Sequence, residues 1–368
     1  MDAERAEAMN AFLAAAGWGE AVRTSLPGDA STRRYVRLRI GDRMAMLMDQ
    51  PQMAETPVAG TQATPEERRA LGYNAVARLA GADCGRFVAT ANYLRGLGLS
   101  APQIYAEDIA QGFVLIEDLG DGLYSDVLTP GVDERKLYRA AADVLAKLHA
   151  SGAPALLPPD KALHAYDETA LLAETDLLPE WFFPAALGRK ASAEEIEQHR
   201  ALWRAALAPF VASPPVFVHR DYHAQNLIWL PNRAGAARVG LIDFQDAVAG
   251  SKAYDLISLI EDARRDVSVG IAEGTTAHYL TAMRQRGTPL DAESFGAEMA
   301  VFAAQRNAKI VGIFARLARR DGKTRYLALL PRVWAYLDRD FRHPALAALK
   351  SWYDRAVPPD ARTPLEGA

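Results

Sequence analysis

Between residues 216 and 243 three short apolar runs, "VFV" (216–218), "LIWL" (227–230) and "VGLID" (239–243), carry polar residues at their ends. Each run has the length and composition of a short buried strand. The turn-rich segment "PNRAGAAR" (231–238) joins the last two as a hairpin. A hairpin of that length returns its second strand beside its first. Asp243, seventeen residues after Asn226, is therefore expected close to Asn226 and Asp221. The loop before the hairpin, "HRDYHAQN" (219–226), holds His219, Asp221, His223 and Asn226 within eight positions.

Taken singly, these residues have ordinary explanations: Asp221 and His223 cap turns, and Asn226 opens a strand in left-handed geometry. As a set they carry chemistry. Carboxylate and amide oxygens at a strand end are hard ligands suited to Mg2+. A third carboxylate near them can hold a substrate hydroxyl and accept its proton. The pattern His-Arg-Asp-x-x-x-x-Asn followed by Asp243-Phe244 is the protein-kinase-like arrangement, with one Asp for the nucleophile and an Asn and a later Asp for metal.

The rest of the chain supplies the frame. In "RRYVRLRI" (33–40), Val36, Leu38 and Ile40 alternate with Tyr35, Arg37 and Arg39; after a Gly41-Asp42 turn, "RMAMLMD" returns, so a hairpin is expected. Residues 51–65, rich in Pro, Thr and Gly, read as a mobile loop and a candidate lid. Helices are expected at about 66–80 and 84–97, and a strand at Phe113–Ile116. After Gly120 the chain turns mostly helical: Leu137, Ala141, Val144, Leu145 and Leu148 fall on one stripe, and Ser192 with Glu195 has capping-box spacing. From 252 on helices dominate, interrupted near Gly287–Pro289, Gly322 and Pro344. The expected class is α+β, a protein-kinase-like two-lobe fold with a small antiparallel-sheet N-lobe and a mostly helical C-lobe. The N-lobe takes residues 1–113 and binds nucleotide, 114–120 connect, and 121–368 form the helical lobe that carries the hairpin, the catalytic loop and the acceptor site.

Bulk properties exclude several alternatives. With 368 residues, each lobe can bury its own core. A net charge of −4 argues against general nucleic-acid or membrane-surface binding. The single cysteine, Cys84, rules out an internal disulfide and a thiolate metal cluster. No apolar run approaches the ~20 residues needed to span a bilayer. The N-terminal "MDAERAEAMNAFLAAAG" reads as a short amphipathic helix rather than a signal peptide, so cytoplasmic residence is expected. "GLGLSA" (96–101) has the form of a dinucleotide fingerprint but ends a helix instead of following a strand, and no Walker-type phosphate loop is present.

The segments "LPGDASTRRYVRL" (26–38), "LIEDLGDGLYSDVL" (115–128), "FVHRDYHAQNLIWLP" (217–231) and "GLIDFQDAVAGSKAYDLISLIEDARRDV" (240–267) carry a resemblance to known kinases. The chain resembles the aminoglycoside phosphotransferase-like kinases over about residues 20–340. Within them it looks most similar to the bacterial anomeric kinases of N-acetylmuramate and N-acetylglucosamine that serve cell-wall recycling. The resemblance implies ATP and Mg2+ as cofactors and a small amino sugar as substrate. It implies that Asp221 orients and deprotonates the sugar hydroxyl, that Asn226 and Asp243 hold Mg2+ on the ATP phosphates, and that Asp255 braces the catalytic loop. His219 would shape that loop, and His223 would position loop or substrate. Gly28, Asp29, Ala30 and Ser31, with Arg33 and Arg34, would form the turn over the phosphates. Backbone groups from Glu117 to Leu119 would meet adenine. Two departures stand out: Met48 occupies the expected place of the third-strand Lys, and Phe244 is followed by Gln245 instead of Gly. Arg33, Arg34 and Arg37 are candidates to meet the phosphate charge.

The acceptor is constrained by charge. Aminoglycosides are polycations and call for carboxylates, whereas N-acetylmuramate carries a carboxylate and calls for Arg or Lys. In "RNAKIVGIFARLARR", Arg306, Lys309, Arg316 and Arg320 form one stripe beside Ile310, Ile313, Phe314 and Leu317, and Arg264 and Arg265 add two further cations. These residues favour an anionic or neutral sugar over an aminoglycoside or choline-type acceptor. A nucleotide-binding pseudokinase is the remaining alternative, opposed by the intact Asp221, Asn226 and Asp243.

Overall fold

The computed structural model of the protein describes residues 3–27, 33–51 and 57–362. Gly28, Asp29, Ala30 and Ser31 of the expected phosphate turn lie outside these residues, as do residues 52–56 of the expected lid. Among the described residues, β1 (Val22–Ser25), β2 (Arg34–Ile40), β3 (Arg43–Asp49), β4 (Ile104–Asp108) and β5 (Phe113–Ile116) form one antiparallel sheet in the order β1-β2-β3-β5-β4. The alternation of the β2–β3 segment sets its register, with Val36 opposite Leu47 and Leu38 opposite Ala45. Gly41 turns the hairpin at a φ of 57°, in the left-handed region that favours glycine. Leu38, Ala45, Leu47, Phe113 and Leu115 form one buried layer with Met9 and Leu13 of the helix Ala3–Ala15 and with Trp18. Burying a Leu or Phe of this kind contributes about 2 kcal/mol.

Four three-residue strands follow among the described residues: β6 (Val216–Val218), β7 (Leu227–Trp229), β8 (Val239–Leu241) and β9 (Val248–Gly250). β7 and β8 make the expected hairpin, with Leu227 opposite Leu241. β6 pairs instead with β9, placing Val218 opposite Val248.

By contacts the chain divides into two compact units. One comprises Met1–Asp133, Pro154–His164 and Gln225–Ala247; the other comprises Glu134–Ala153, Ala165–Ala224 and Val248–Ala368. The β7–β8 hairpin thus belongs with the sheet, not with the helices as the sequence suggested, and one division at 114–120 does not describe the units. Backbone bonds are the reason. Leu241 N donates to Ser100 O at 2.9 Å, Trp229 N to Gly122 O at 2.6 Å, and the Ser100 hydroxyl to Ala237 O at 2.6 Å. The helix expected over 66–80 is likewise split into Pro65–Leu71 and Tyr73–Ala77 by Gly72, whose φ is 102°. Cys84 opens the helix Cys84–Gly96, and burial pushes its thiol up to about 11, which leaves it unreactive.

The second unit is built on helices. The stripe Leu137, Ala141, Val144, Leu145 and Leu148 is the buried face of Glu134–Ala150, and Ser192 and Glu195 close a capping box at the start of Ala193–Val211. Asp291 caps the long helix Ala292–Asp321, and Gly322 ends it in left-handed geometry. Midway, Gly312 lets this helix approach the Leu177 backbone: a Cβ there would lie 2.6 Å from the Leu177 carbonyl oxygen. No helix among the described residues is long and apolar enough to cross a membrane.

Candidate active site

In the sheet-bearing unit the hairpin delivers the expected Asn–Asp pair. Ile242 N donates to Asn226 O at 3.2 Å, which closes the hairpin just before Asp243. Asp243 then takes a φ of 61°, an unusual conformation for a residue with a side chain, and its carboxylate turns back to Asn226. Asn226 Nδ2 lies 3.5 Å from Asp243 Oδ2, while Asp243 Oδ1 receives Gln245 Nε2 at 2.9 Å and an Arg33 nitrogen at 3.1 Å. Gln245, in the place of the kinase Gly, therefore holds the carboxylate. Burial opposes the Arg33 charge, but Tyr35, Asp243 and Asp246 together hold the guanidinium firmly protonated.

Asn226 and Asp243 line a cavity of about 490 Å³ together with Arg33, Arg37, Glu117 and Leu119. Its apolar wall includes Met46, Phe87, Ile116 and Ile242. The cavity-lining residue of β3 is thus Met46 rather than Met48, which is fully buried; the two share a face of the strand, and neither supplies a charge. Arg34 is exposed and does not line this cavity. Arg37 does, already paired with Asp118 and Asp121 at 2.7 Å each. The Glu117 N–H is given to Gln103 O at 2.8 Å, and its carboxylate pairs with Arg233 at 2.5 Å.

In the helical unit the loop after β6 is held from below. Asp255, on the helix Ala253–Ile260, accepts the N–H groups of His219 at 2.6 Å and Arg220 at 2.8 Å. Burial pushes its carboxyl up to about 7 against the pull of these donors. His219 packs edge-on against Tyr222. Arg220 adopts a φ of 83° and reaches Glu174 at 2.5 Å. Glu174 also pairs with Lys309 at 2.8 Å and accepts from Gln305 at 3.1 Å and from the Tyr166 hydroxyl. Burial would raise the Glu174 carboxyl, but Lys309 and Arg220 outweigh it and hold the group at about 2. Asp262 ties down the loop's far end, accepting from Ala224 N at 3.3 Å and Arg264 N at 2.8 Å.

Asp221, His223, Arg264, Arg306 and Lys309 line one cavity of about 90 Å³, with Arg220, Tyr254, Ile310, Ile313 and Phe314 completing its wall. The structure thereby brings the expected acceptor residues of this unit to Asp221. Arg316 and Arg320 of the same stripe do not line it; Arg320 pairs with Asp321 at 2.7 Å, and Arg265 pairs with Glu134 at 2.9 Å. Burial pushes the His223 imidazole down, and its Nδ1 has no hydrogen-bond partner among the described residues. Glu174 and Asp262 escaped the sequence reading. The only signal for Glu174 was an acid in the largely apolar run "ALLAETDLL", two residues before Asp176.

A five-stranded antiparallel sheet and a mostly helical remainder give a protein-kinase-like fold. Choline kinase LicA from Streptococcus pneumoniae shares that fold with a TM-score of 0.57 over 94% of this chain and 100% of that one, at 14% identity. Residues 22–290 match APH, the phosphotransferase enzyme family, and the chain belongs to that family. It is 46% identical over 365 residues to an N-acetylmuramate/N-acetylglucosamine kinase of Caulobacter vibrioides, covering 98% of this chain and 99% of that protein. A protein of the same description from Pseudomonas aeruginosa is 33% identical over 344 residues, covering 92% of this chain and 90% of the relative.

Proposed function

We propose that the protein is a cytoplasmic ATP-dependent kinase that transfers the γ-phosphoryl group to the anomeric hydroxyl of N-acetylmuramate or N-acetylglucosamine, returning sugars released from the cell wall to use. The observation that carries this reading is the cavity at Asp221, whose other charged lining groups are all cationic, in a chain 46% identical to a kinase named for these two sugars. Such a lining repels a polycationic aminoglycoside or a choline and accepts a neutral or anionic sugar.

Asp221 accepts the proton of the anomeric hydroxyl as that oxygen bonds to the γ-phosphorus and the bond to the β–γ bridging oxygen breaks, releasing ADP. An anomeric hydroxyl is more acidic than an ordinary alcohol, so one carboxylate suffices as base. Asp255 holds the loop that presents Asp221, and Arg33 offsets phosphate charge that no β3 lysine meets. Asn226 and Asp243 fit Mg2+: with the Asn226 amide rotated, its oxygen would stand beside Asp243 Oδ2, and these two hard oxygens would hold the ion. When bound, the ion neutralises charge on the transferring phosphate. Residues 1–113 together with the β7–β8 hairpin serve the nucleotide, the helical part serves the sugar, and the backbone from Glu117 to Leu119 meets adenine. Gly28, Asp29, Ala30 and Ser31 with Arg34 complete the phosphate turn.

ADP release over a panel of N-acetylmuramate, N-acetylglucosamine, kanamycin and choline tests the reading. Turnover of the N-acetyl sugars alone is expected; turnover of kanamycin or choline instead would overturn it.

A further inference from the structure

The Asp221 cavity is lined by four cations, Arg220, Arg264, Arg306 and Lys309, and a single carboxylate, Asp221. Arg220 and Lys309 are both spent on Glu174, at 2.5 and 2.8 Å. Arg306, 5% exposed, donates only to the Glu261 backbone carbonyl at 3.2 Å, and Arg264 lies over the Tyr326 ring at 5.9 Å. Among the described residues neither arginine has a carboxylate partner at ion-pair distance. The carboxylates behind the wall are otherwise engaged. Asp255 serves His219 and Arg220, Asp262 serves Ala224 and Arg264 through their N–H groups, and Glu261 serves Asn307 and Arg339. The Arg306 guanidinium feels the Asp255 and Glu261 carboxylates without pairing directly with either, and a buried guanidinium short of a direct anion partner is costly to maintain. Beside it, His223 is 7% exposed with Nδ1 unpartnered among the described residues.

We infer that Arg264 and Arg306 form a carboxylate subsite, with His223 hydrogen-bonding at its edge, that selects the carboxylate-bearing amino sugar over its neutral counterpart. This rests on the sugar-kinase reading and adds a selectivity determinant to it. Volume agrees with the assignment. The cavity of about 90 Å³ has room for several water molecules, and so for a short carboxylate arm beside Asp221. Chemistry agrees as well. The arm that distinguishes N-acetylmuramate from N-acetylglucosamine is a lactyl ether, with one carboxylate and one methyl group. Arg264 and Arg306 match the first, and Ile310, Ile313 and Phe314, which line the same cavity, match the second. Lys309, held by Glu174, is thereby a structural cation rather than a substrate ligand.

The test is the ratio of kcat/KM for N-acetylmuramate to that for N-acetylglucosamine in the full chain, wild type against Arg264→Met and Arg264→Lys. Losing a charge-assisted hydrogen bond costs about 10- to 100-fold, so Arg264→Met is expected to lower the ratio by that factor, mainly through KM for N-acetylmuramate, with Arg264→Lys recovering part of it. A ratio within about twofold of wild type in Arg264→Met would overturn the subsite, because a merely structural arginine would depress both sugars alike. Wild-type protein that turned over neither sugar would overturn the functional reading instead. The subsite would then be judged by calorimetry with N-acetylmuramate, where undiminished binding to Arg264→Met refutes it and binding weakened about 10-fold or more supports it.

Discussion

Replacing Glu174 by Gln removes a carboxylate that pairs with two buried cations, Arg220 and Lys309. Glu174 is 1% exposed, so solvent screening does not discount its interactions. Its carboxyl is held at about 2 against an ordinary 4.5, and at about 1.4 kcal/mol per pKa unit this difference amounts to about 3 kcal/mol. Breaking one member of a buried ion pair costs about 3–5 kcal/mol, in agreement. Urea unfolding near pH 7 should therefore show Glu174→Gln destabilised by about 3 kcal/mol. Adding Lys309→Met removes one of the stranded cations, so the double variant should be more stable than the sum of the single changes predicts, by about 1–3 kcal/mol. The sign in pH is fixed by the depressed value. The contribution is fully present above the unfolded value near 4.5 and is lost as pH falls from there through about 2. A Glu174→Gln variant within about 0.5 kcal/mol of wild type, or strictly additive double-variant energies, would refute the reasoning.

Asp255 should behave oppositely. Its folded value of about 7 lies above the ordinary 3.8, so its stabilising protonation is complete below pH 3.8 and lost as pH rises through 7. Urea unfolding at pH 4 to 7 should show wild type losing stability relative to Asp255→Asn; an opposite slope contradicts the assignment. Gly312→Ala, which drives a Cβ to 2.6 Å from the Leu177 carbonyl oxygen, should cost about 1–3 kcal/mol in the same assay. Arg33→Ala should raise KM for ATP about 10-fold with little change in KM for the sugar, and an unchanged KM for ATP would return the phosphate charge to other groups.

What could be read beforehand follows from where periodicity and pairing constrain the chain. The Asn226–Asp243 pair was legible because a hairpin fixes the register of its two strands, whatever packs around it. Arg306 and Lys309 were legible as neighbours on one helix face. Arg316, seven residues beyond Lys309, lies about 10 Å further along the axis, past the end of a small cavity. β1 and β4 were missed because "VRTS" and "IYAED" have little apolar alternation; the sheet, not their own pattern, makes them strands. β9 was missed because "VAG" has no meaning until β6 pairs with it. The hairpin's allegiance to the sheet depends on Ser100 and Gly122, distant in sequence and unremarkable in type. Glu174 in an apolar helix gave no local sign of the two cations that come to it from positions 220 and 309.

The central claim is phosphoryl transfer from ATP to an anomeric hydroxyl with Asp221 as base. N-acetylglucosamine and its methyl glycoside, in which that hydroxyl is capped, separate this from every other position on the ring. ADP release measured with both should show turnover of the free sugar, none with the methyl glycoside, and a loss of at least about 100-fold for Asp221→Asn with the free sugar. Equal turnover of the methyl glycoside, or an Asp221→Asn protein that keeps most of its activity, would contradict it.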